Sequence, residues 1–495
     1  MFSNKNGTIR NCCYYFHLAV MTVVMLTHLP VKGQHGCPNR VLIRPCTCSE
    51  KLVGLDVTCK GTNVHQLREA IGNVQQTRQT VRYLKFTNNH LPKLPALLLA
   101  DVDVKNILVL DCNTSNIDKL AFTGLGDKLE TLDLSNNLLQ HVPSGALGTL
   151  GLLTSLSLNY NRIENIHASA FRGLISLLRL YLYGNRIKFI DNLAFLGIGE
   201  NLTRLNLGSN GLTSIPSQSL QNLTTLRRLQ LPHNQITVIL PEELRPVGAH
   251  LDTLDLAQNL LEEIPDGAFE FLPALSSLDL EGNCISYIHH GAFNGLEDTL
   301  EWVKLGRNNL VSIPMTSLQN LSLLRQLDLR GNNISRVTEH AFWPYGIRLK
   351  YIYLQDNQIS EIENNAFFPI NNTLRWLYLQ GNRLTTLHKT TFQHILENLV
   401  ILDVHNNPFL CDCNVAWFRE WMRNNGSIVV SMPRETCCQN PRDLKGIPMA
   451  EAPNDRFHMC STASSSSCHV LLSIWVLISN QCIITNFLAW VIGYT

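Results

Sequence analysis

The chain of 495 residues carries no concentration of charge of either sign: 40 Lys and Arg balance 39 Asp and Glu for a formal charge of +1, and charged residues make up 16% of it. Phosphate recognition needs a dense cationic surface, so nucleic acid is excluded as the expected partner. Catalytic signatures are missing as well. The sequence holds no G-x-S-x-G, no H-E-x-x-H and no phosphate-binding loop. Its 17 histidines are scattered, and the pair His289-His290 has no acidic or cysteine neighbour at ligand spacing. The expectation is a protein that is not an enzyme and has neither cofactor nor metal; only a Ser-His-Asp group assembled from distant parts of the chain would escape that search.

A repeat fills most of the chain. The stretch Leu153 to Leu174, LTSLSLNYNRIENIHASAFRGL, reads as L-x-x-L-x-L-x-x-N-x-I, with Leu153, Leu156, Leu158 and Ile163 facing inward and Asn161 at the corner. The corner asparagine recurs as Asn89, Asn113, Asn137, Asn161, Asn185, Asn210, Asn234, Asn259, Asn283, Asn308, Asn332, Asn357, Asn382 and Asn407, at steps of 24 or 25 residues. A fixed period of this size is the signature of a stacked solenoid, which overrides the division into about three domains that length alone suggests. In each unit x-L-x-L-x alternates, predicting a short strand with leucines inward. Roughly 18 residues then return on the other side, long enough to set successive strands parallel. The return limbs contain Pro143, Pro216, Pro265, Pro273 and Pro314, which predicts turns and short 3₁₀ pieces rather than long helices.

The corner asparagine sits where the chain turns off the strand and loses its sheet partners. Its amide can donate to one carbonyl and accept from one N–H, so its role is structural. On that reading the acceptor sequon Asn113-Thr114-Ser115 occupies a ladder position and is expected to be unused. The sequons at Asn201, Asn222, Asn320 and Asn371 lie just before a strand and are expected to be glycosylated, with Asn333 and Asn425 as further sites.

The ends differ from the middle. Residues 1–33 carry Lys5 and Arg10, an apolar run from Leu18 to Leu29, and Val31-Lys32-Gly33 before Gln34. They read as a secretory signal peptide, a signal anchor being the alternative. Cys37, Cys46, Cys48 and Cys59 then read as two disulfides in an oxidising compartment, where a cytosolic chain would favour zinc. Near the other end stand Cys411, Cys413, Cys437, Cys438 and Cys460, with Trp417 and Trp421 between them at i, i+4. Residues 461–467 form a Ser-rich linker, followed by an apolar tail to Thr495. This fits a removed GPI-attachment signal, with a membrane span and free secretion as alternatives.

The repeat resembles the leucine-rich repeat family, in its short extracellular form with a recurring A-F-x-x-L on the return limb: Ala170-Phe171, Ala194-Phe195, Ala268-Phe269, Ala292-Phe293, Ala341-Phe342 and Ala366-Phe367. The resemblance implies an α/β leucine-rich repeat solenoid with a curved parallel sheet on its concave face and turn-rich convex limbs. Its units are a cysteine-rich cap over 34–80, about fourteen repeats over 81–409, and a second cysteine-rich cap over 410–460. By the family pattern Cys37 pairs with Cys48, Cys46 with Cys59, Cys411 with Cys437 or Cys438, the C-x-x-P spacing favouring Cys438, and Cys413 with Cys460. That leaves Cys112, Cys284 and one of the adjacent cysteines surplus, an odd number, so at least one is a free thiol or an intermolecular bridge.

Function should reside in the variable positions of the concave strands. Arg179, Arg204 and Arg228, with Arg227 beside them, form a basic column. Asp252, Asp255, Asp279, Glu281 and Glu301 form an acidic zone, and Tyr160, Tyr181 and Tyr183 a small aromatic group. Trp302, Tyr351, Tyr353, Trp376 and Tyr378, flanked by Lys350 and Arg375, form an aromatic zone. Aromatics suit strands and pair across them without any ligand, yet Trp, Tyr and Arg are also the residues enriched at binding hot spots. The expected function is extracellular recognition or cell adhesion through the concave face, on the outer surface of the plasma membrane. The expected partner is an extracellular protein ligand or cell-surface receptor, and a second copy forming a homodimer is an alternative. Repeats, caps and anchor together resemble chaoptin-like and connectin-like adhesion proteins. The N-terminal I-x-P-C-x-C and L-D-V-x-C resemble proteins named after the non-catalytic subunit of a secreted luciferase, giving the rival expectation of an enzyme's accessory subunit. An innate-immune recognition protein of the Toll type is a third.

Overall fold

The computed structural model describes residues 36–458 apart from residue 344. The expected signal peptide, Ser-rich linker, apolar tail and Cys460 lie outside the described residues. From Gly54–Lys60 onward fifteen strands run parallel in one sheet, each paired to the coil before and after it, and Cys46–Lys51 closes the N-terminal edge as the antiparallel arm of a hairpin. The short strands of the repeats, such as Ser155–Ser157, Arg179–Tyr181 and Tyr351–Tyr353, alternate half-exposed, buried, half-exposed. This is the outcome of a leucine at every second position. The core is one continuous column: Leu153, Leu156, Leu158 and Ile163 are all fully buried, as are their counterparts in neighbouring coils.

The return limbs are turns, two-residue bridges such as Asn165–Ile166 with Phe189–Ile190, four-residue helices such as Ser217–Leu220, and 3₁₀ pieces such as Phe368–Ile370. Three of the short helices start directly after Pro143, Pro216 and Pro314. Proline's fixed φ and missing N–H suit a helix start and forbid its interior. Here the A-F motif builds a second spine: Phe342 stacks on Phe367 with ring centroids 5.8 Å apart and Phe171 on Phe195 at 5.9 Å, while Phe392, after Thr391, meets Phe367 tilted by 59° at 5.7 Å. Such pairs add about 0.5–1.5 kcal/mol each beyond the area they bury.

The ladder asparagines do more than one bond each. Asn161 Nδ2 donates to Leu134 O of the preceding coil at 3.0 Å and to Leu158 O at 3.1 Å, while its Oδ1 accepts the N–H of Leu139 at 3.1 Å. One expected member does not belong to the ladder. The residue before each ladder position is left-handed, as at Asn88, Asn136 and Tyr160, and in the second coil that residue is Asp111. Cys112 therefore occupies the ladder position. It is fully buried, its thiol donates to Leu110 O and Phe86 O at 3.2 and 3.4 Å, and Asn137 Oδ1 accepts its N–H at 3.2 Å. Asn113 is one residue further on and exposed. Ile107-x-Val109 sets this register, just as Leu156-x-Leu158 sets that of Asn161.

Both ends of the solenoid carry disulfides. At the first, Cys37 is joined to Cys48 and Cys46 to Cys59. A helix over Val64–Gln75 follows, started by a capping box in which Asn63 and Gln66 exchange side-chain to backbone bonds, and it buries Leu67, Ala70, Ile71 and Val74. At the other end Cys411 is joined to Cys438, and Phe409–Leu410 pairs with Cys438–Asn440. The helix Ala416–Val429 covers the last coil. Its deepest residue is Phe418, fully buried, with Trp417 and Trp421 partly buried beside it. Trp417 Nε1 donates to Leu387 O at 2.7 Å. Cys284 and Cys413 are both disulfide-bonded, so Cys284 is not surplus; Cys112 and Cys437 are the free thiols among the described residues.

Candidate partner-binding face

The strand register sorts the variable side chains of the sheet into rows that cross the coils. In one row Arg179, Arg204 and Arg228 are direct neighbours, followed by Thr253, Ser277, Trp302, Gln326, Tyr351, Trp376 and Ile401. A second row, two residues along each strand, runs Tyr181, Asn206, Gln230, Asp255, Asp279, Lys304, Asp328, Tyr353, Tyr378 and Asp403. Every member points away from the buried aliphatic residue between them, a leucine except at Val303 and Ile352, because successive side chains on a strand alternate faces.

The five aromatic residues of the C-terminal zone form two ranks. Tyr351 and Trp376 lie 4.7 Å apart between ring centroids, Tyr353 and Tyr378 stack at 5.1 Å with planes 7° apart, and Trp302 reaches Tyr351 at 6.1 Å. All five are half-buried rather than exposed, since each covers part of its neighbour. That packing alone accounts for some of their presence. It does not account for their polar ends: among the described residues no hydrogen bond engages the indole N–H of Trp302 or Trp376, nor the hydroxyls of Tyr351, Tyr353 or Tyr378, although the indole of Trp417 is bonded. Burial pushes the phenols of Tyr353 and Tyr378 above the ordinary tyrosine range, so both stay protonated donors at neutral pH. Beside them the side-chain oxygens of Gln355 and Gln380 are buried acceptors without a partner.

The acidic zone is largely neutralised by cations that the sequence reading left out. Lys304 bonds Asp279 at 2.7 Å, Arg330 bonds Glu281 at 2.6 Å, Arg307 approaches Glu281 at 3.5 Å, and Arg325 pairs with Glu301 at 3.4 Å. Asp328 and Asp403, also absent from that reading, are nearly fully buried next to Arg330 and His405, the latter 2.6 Å from Asp403. Stepping 24 or 25 residues along one row would have found them. Burial raises the carboxyl of Asp255, which has no cation within ion-pair distance among the described residues.

The basic column is different. Arg204 and Arg228 are exposed and Arg179 half-exposed. Among the described residues only Arg228 of the three has an acidic partner, Asp252 at 3.8 Å, a solvent-exposed pair worth about 0–1 kcal/mol. Nearby Tyr160 and Tyr183 meet edge to face at 5.5 Å. Gly184 lies under that pair with φ +69, and a Cβ there would come within 2.6 Å of the Tyr160 ring. Of the sequon residues, Asn201, Asn320 and Asn333 are exposed, Asn222 and Asn371 half-buried, and the side chain of Asn425 lies outside the described residues. No group of three or more His, Cys, Asp or Glu suited to a metal ion is present among the described residues.

Strands, ladder and disulfide ends together define a capped repeat solenoid. The Leucine rich repeat family profile matches residues 104–163, 151–199, 200–247, 249–298 and 298–359, just over half of the sequence, and the chain belongs to the leucine-rich repeat family. It is similar to Leucine-rich repeat-containing protein 3 of Danio rerio, 37% identical over 141 residues, which cover 25% of this chain and 51% of that protein. It is also similar to Immunoglobulin superfamily member 10 of Rattus norvegicus, 39% identical over 70 residues, 12% of this chain and 3% of that protein. The chain thus spans about half the length of the first and a small fraction of the second. Among solved structures it resembles a chain of the octameric complex of Latrophilin 3 (Lec, Olf), Unc5D (Ig, Ig2, TSP1) and FLRT2 (LRR), with TM-score 0.54 and 28% identity over 64% of this chain and 93% of that one. A chain of the mouse RP105/MD-1 complex shares the fold at TM-score 0.62 and 20% identity, over 80% of this chain and 72% of that one.

Proposed function

We propose that this protein is an exported, non-enzymatic recognition or adhesion protein that grips an extracellular protein partner on its concave face. The observation that carries the reading is the two-rank aromatic cluster of Trp302, Tyr351, Trp376, Tyr353 and Tyr378, with rings packed on one another and polar ends unengaged. Large, rigid side chains that keep an unspent donor suit the centre of a protein interface. The basic column of Arg179, Arg204 and Arg228 would steer an acidic region of the same partner. Export is supported by the disulfides at both ends, since such bonds persist in oxidising compartments. Residues 1–33 would direct it there and residues 461–495 would hold it at the outer membrane surface, with sugars at Asn201, Asn222, Asn320, Asn333, Asn371 and Asn425. A leucine-rich neighbour seen in a multiprotein complex with latrophilin 3 and Unc5D fits a role in binding other extracellular proteins.

The test is capture of partners from extracellular extract by the exported chain, set against the variant Tyr351→Ala/Trp376→Ala and against Phe189→Ser, which alters an exposed residue of a return limb. The reading expects capture to be lost in the first variant and kept in the second, with unfolding midpoints checked for both. Equal capture by all three folded proteins refutes it.

A further inference from the structure

We propose that Asn113 carries an N-linked oligosaccharide, an inference that rests on the export reading above. Asn113-Thr114-Ser115 is an acceptor sequence whose asparagine would be buried if it belonged to the ladder. The structure gives that place to Cys112. The ladder asparagines Asn89, Asn137 and Asn161 are 4%, 4% and 6% exposed, and each amide nitrogen donates to a carbonyl of the coil before it, as Asn137 does to Val109 O at 2.7 Å. A sugar on such a nitrogen would remove the donor and could not fit between coils. Asn113 has neither restraint: it is exposed, its φ is +54, and no hydrogen bond engages its side chain among the described residues. Asparagine tolerates that left-handed backbone better than most residues.

The neighbours complete the arrangement. Thr114 is turned inward, 1% exposed, with Oγ1 donating to Leu91 O at 2.8 Å, whereas Ser115 is exposed and rests on Pro92 O at 3.1 Å. The acceptor amide and the hydroxyl two residues later are therefore both outward while the intervening residue pins the corner. Asn333, in Asn333-Ile334-Ser335, holds the equivalent place one residue after the ladder residue Asn332 and is also exposed, which puts the two sites on the same edge of the solenoid. The chemistry is a transfer from a lipid-linked oligosaccharide diphosphate by a membrane oligosaccharyl transferase of the secretory pathway. The Asn113 amide nitrogen bonds to the anomeric carbon, the carbon–oxygen bond to the diphosphate breaks, the polyprenyl diphosphate leaves, and the amide gives up one proton. Transfer acts on the nascent chain; the fold has only to accommodate the product.

The experiment uses the full-length chain made in secreting animal cells and recovered from the medium or the cell surface. Release of glycans by peptide-N-glycosidase in heavy-oxygen water marks each occupied asparagine as labelled aspartate for peptide mass spectrometry. The expected result is a mark at Asn113 in the native sequence, its loss in Ser115→Ala and its retention in Ser115→Thr. Exported protein marked at Asn201 or Asn320 but unmarked at Asn113 overturns the proposal while leaving the export reading intact. Failure of the native chain to be exported or marked at any sequon overturns both.

Discussion

Trp302 and Tyr351 lie with their ring planes 15° apart and centroids 6.1 Å apart, although the strand of Gln326 runs between theirs. The strand of Gln326 is thus the single strand between two near-parallel rings that form one aromatic contact. Trp302→Ala and Tyr351→Ala should therefore be non-additive. A double-mutant cycle by urea denaturation is expected to give a coupling of about 0.5–1.5 kcal/mol, and a value near zero would mean that the rings are independent.

The ladder should be sensitive in one coil and tolerant in another. Asn161→Ala leaves the N–H of Leu139 without its acceptor, whereas the carbonyls of Leu134 and Leu158 keep the amides of Asn137 and Asn185. A stranded buried donor costs about 1–3 kcal/mol, so a loss of that size is expected from chemical denaturation. Cys112→Asn, which restores the residue of the other coils, is expected to fold and to change stability far less.

The two thiols that are free among the described residues should differ in reactivity. Cys112 is fully buried and Cys437 half-exposed. Native-state alkylation followed by peptide mapping is expected to label Cys437 and spare Cys112 until the chain is unfolded. Burial, then the charges of Glu435 and Glu451, push the Cys437 thiol above its ordinary range. Its thiolate fraction at neutral pH is accordingly small, and the labelling rate should keep rising past the pH at which an unhindered cysteine levels off.

Asp255 provides a pH test of the concave face. Burial, and then the charge of Asp279, raise its carboxyl above the unfolded value, against the acceptor bond from Ala257 N–H at 3.1 Å. A raised carboxyl binds its proton more tightly in the folded state, so the ionised form carries a penalty. That penalty is absent below the unfolded value and fully present above the folded one. Asp255→Asn keeps an acceptor oxygen and should raise the denaturation midpoint at pH 7 while leaving it nearly unchanged at pH 3. The opposite ordering would contradict the assignment.

Charge reversal in the basic column should spare the fold. Arg204 has no ion-pair partner among the described residues, so Arg204→Glu is expected to change stability by no more than about 0.5 kcal/mol. Partner association, followed by surface plasmon resonance once a ligand is in hand, should slow and lose salt dependence. A large stability loss would show that the column is structural.

Much of this could be read from sequence because a solenoid is nearly one-dimensional: each coil contacts only its neighbours, so one periodic rule repeats the length of the chain. The inward leucines, Asn161 and its counterparts, the proline-started limbs and the rows of outward positions all follow from it. The second coil escaped the rule because an asparagine stands next to the position that needed one, and Cys112 was read as surplus. The charge map escaped for another reason. Asp279 and Glu281 look like an acidic surface on paper, but Lys304 and Arg330 lie across them, the latter reaching Glu281 over 49 residues of sequence.

By itself, then, the sequence determined the repeat, its direction and the faces its side chains take, since these depend on periodicity within one coil. Tertiary structure decided the register at Cys112, the outward turn of Asn113, the pairing of the concave charges and the mutual cover of the five aromatic rings. Those depend on which side chains of neighbouring coils compete for the same carbonyl, cation or ring face, and only the stacked chain brings the competitors within reach.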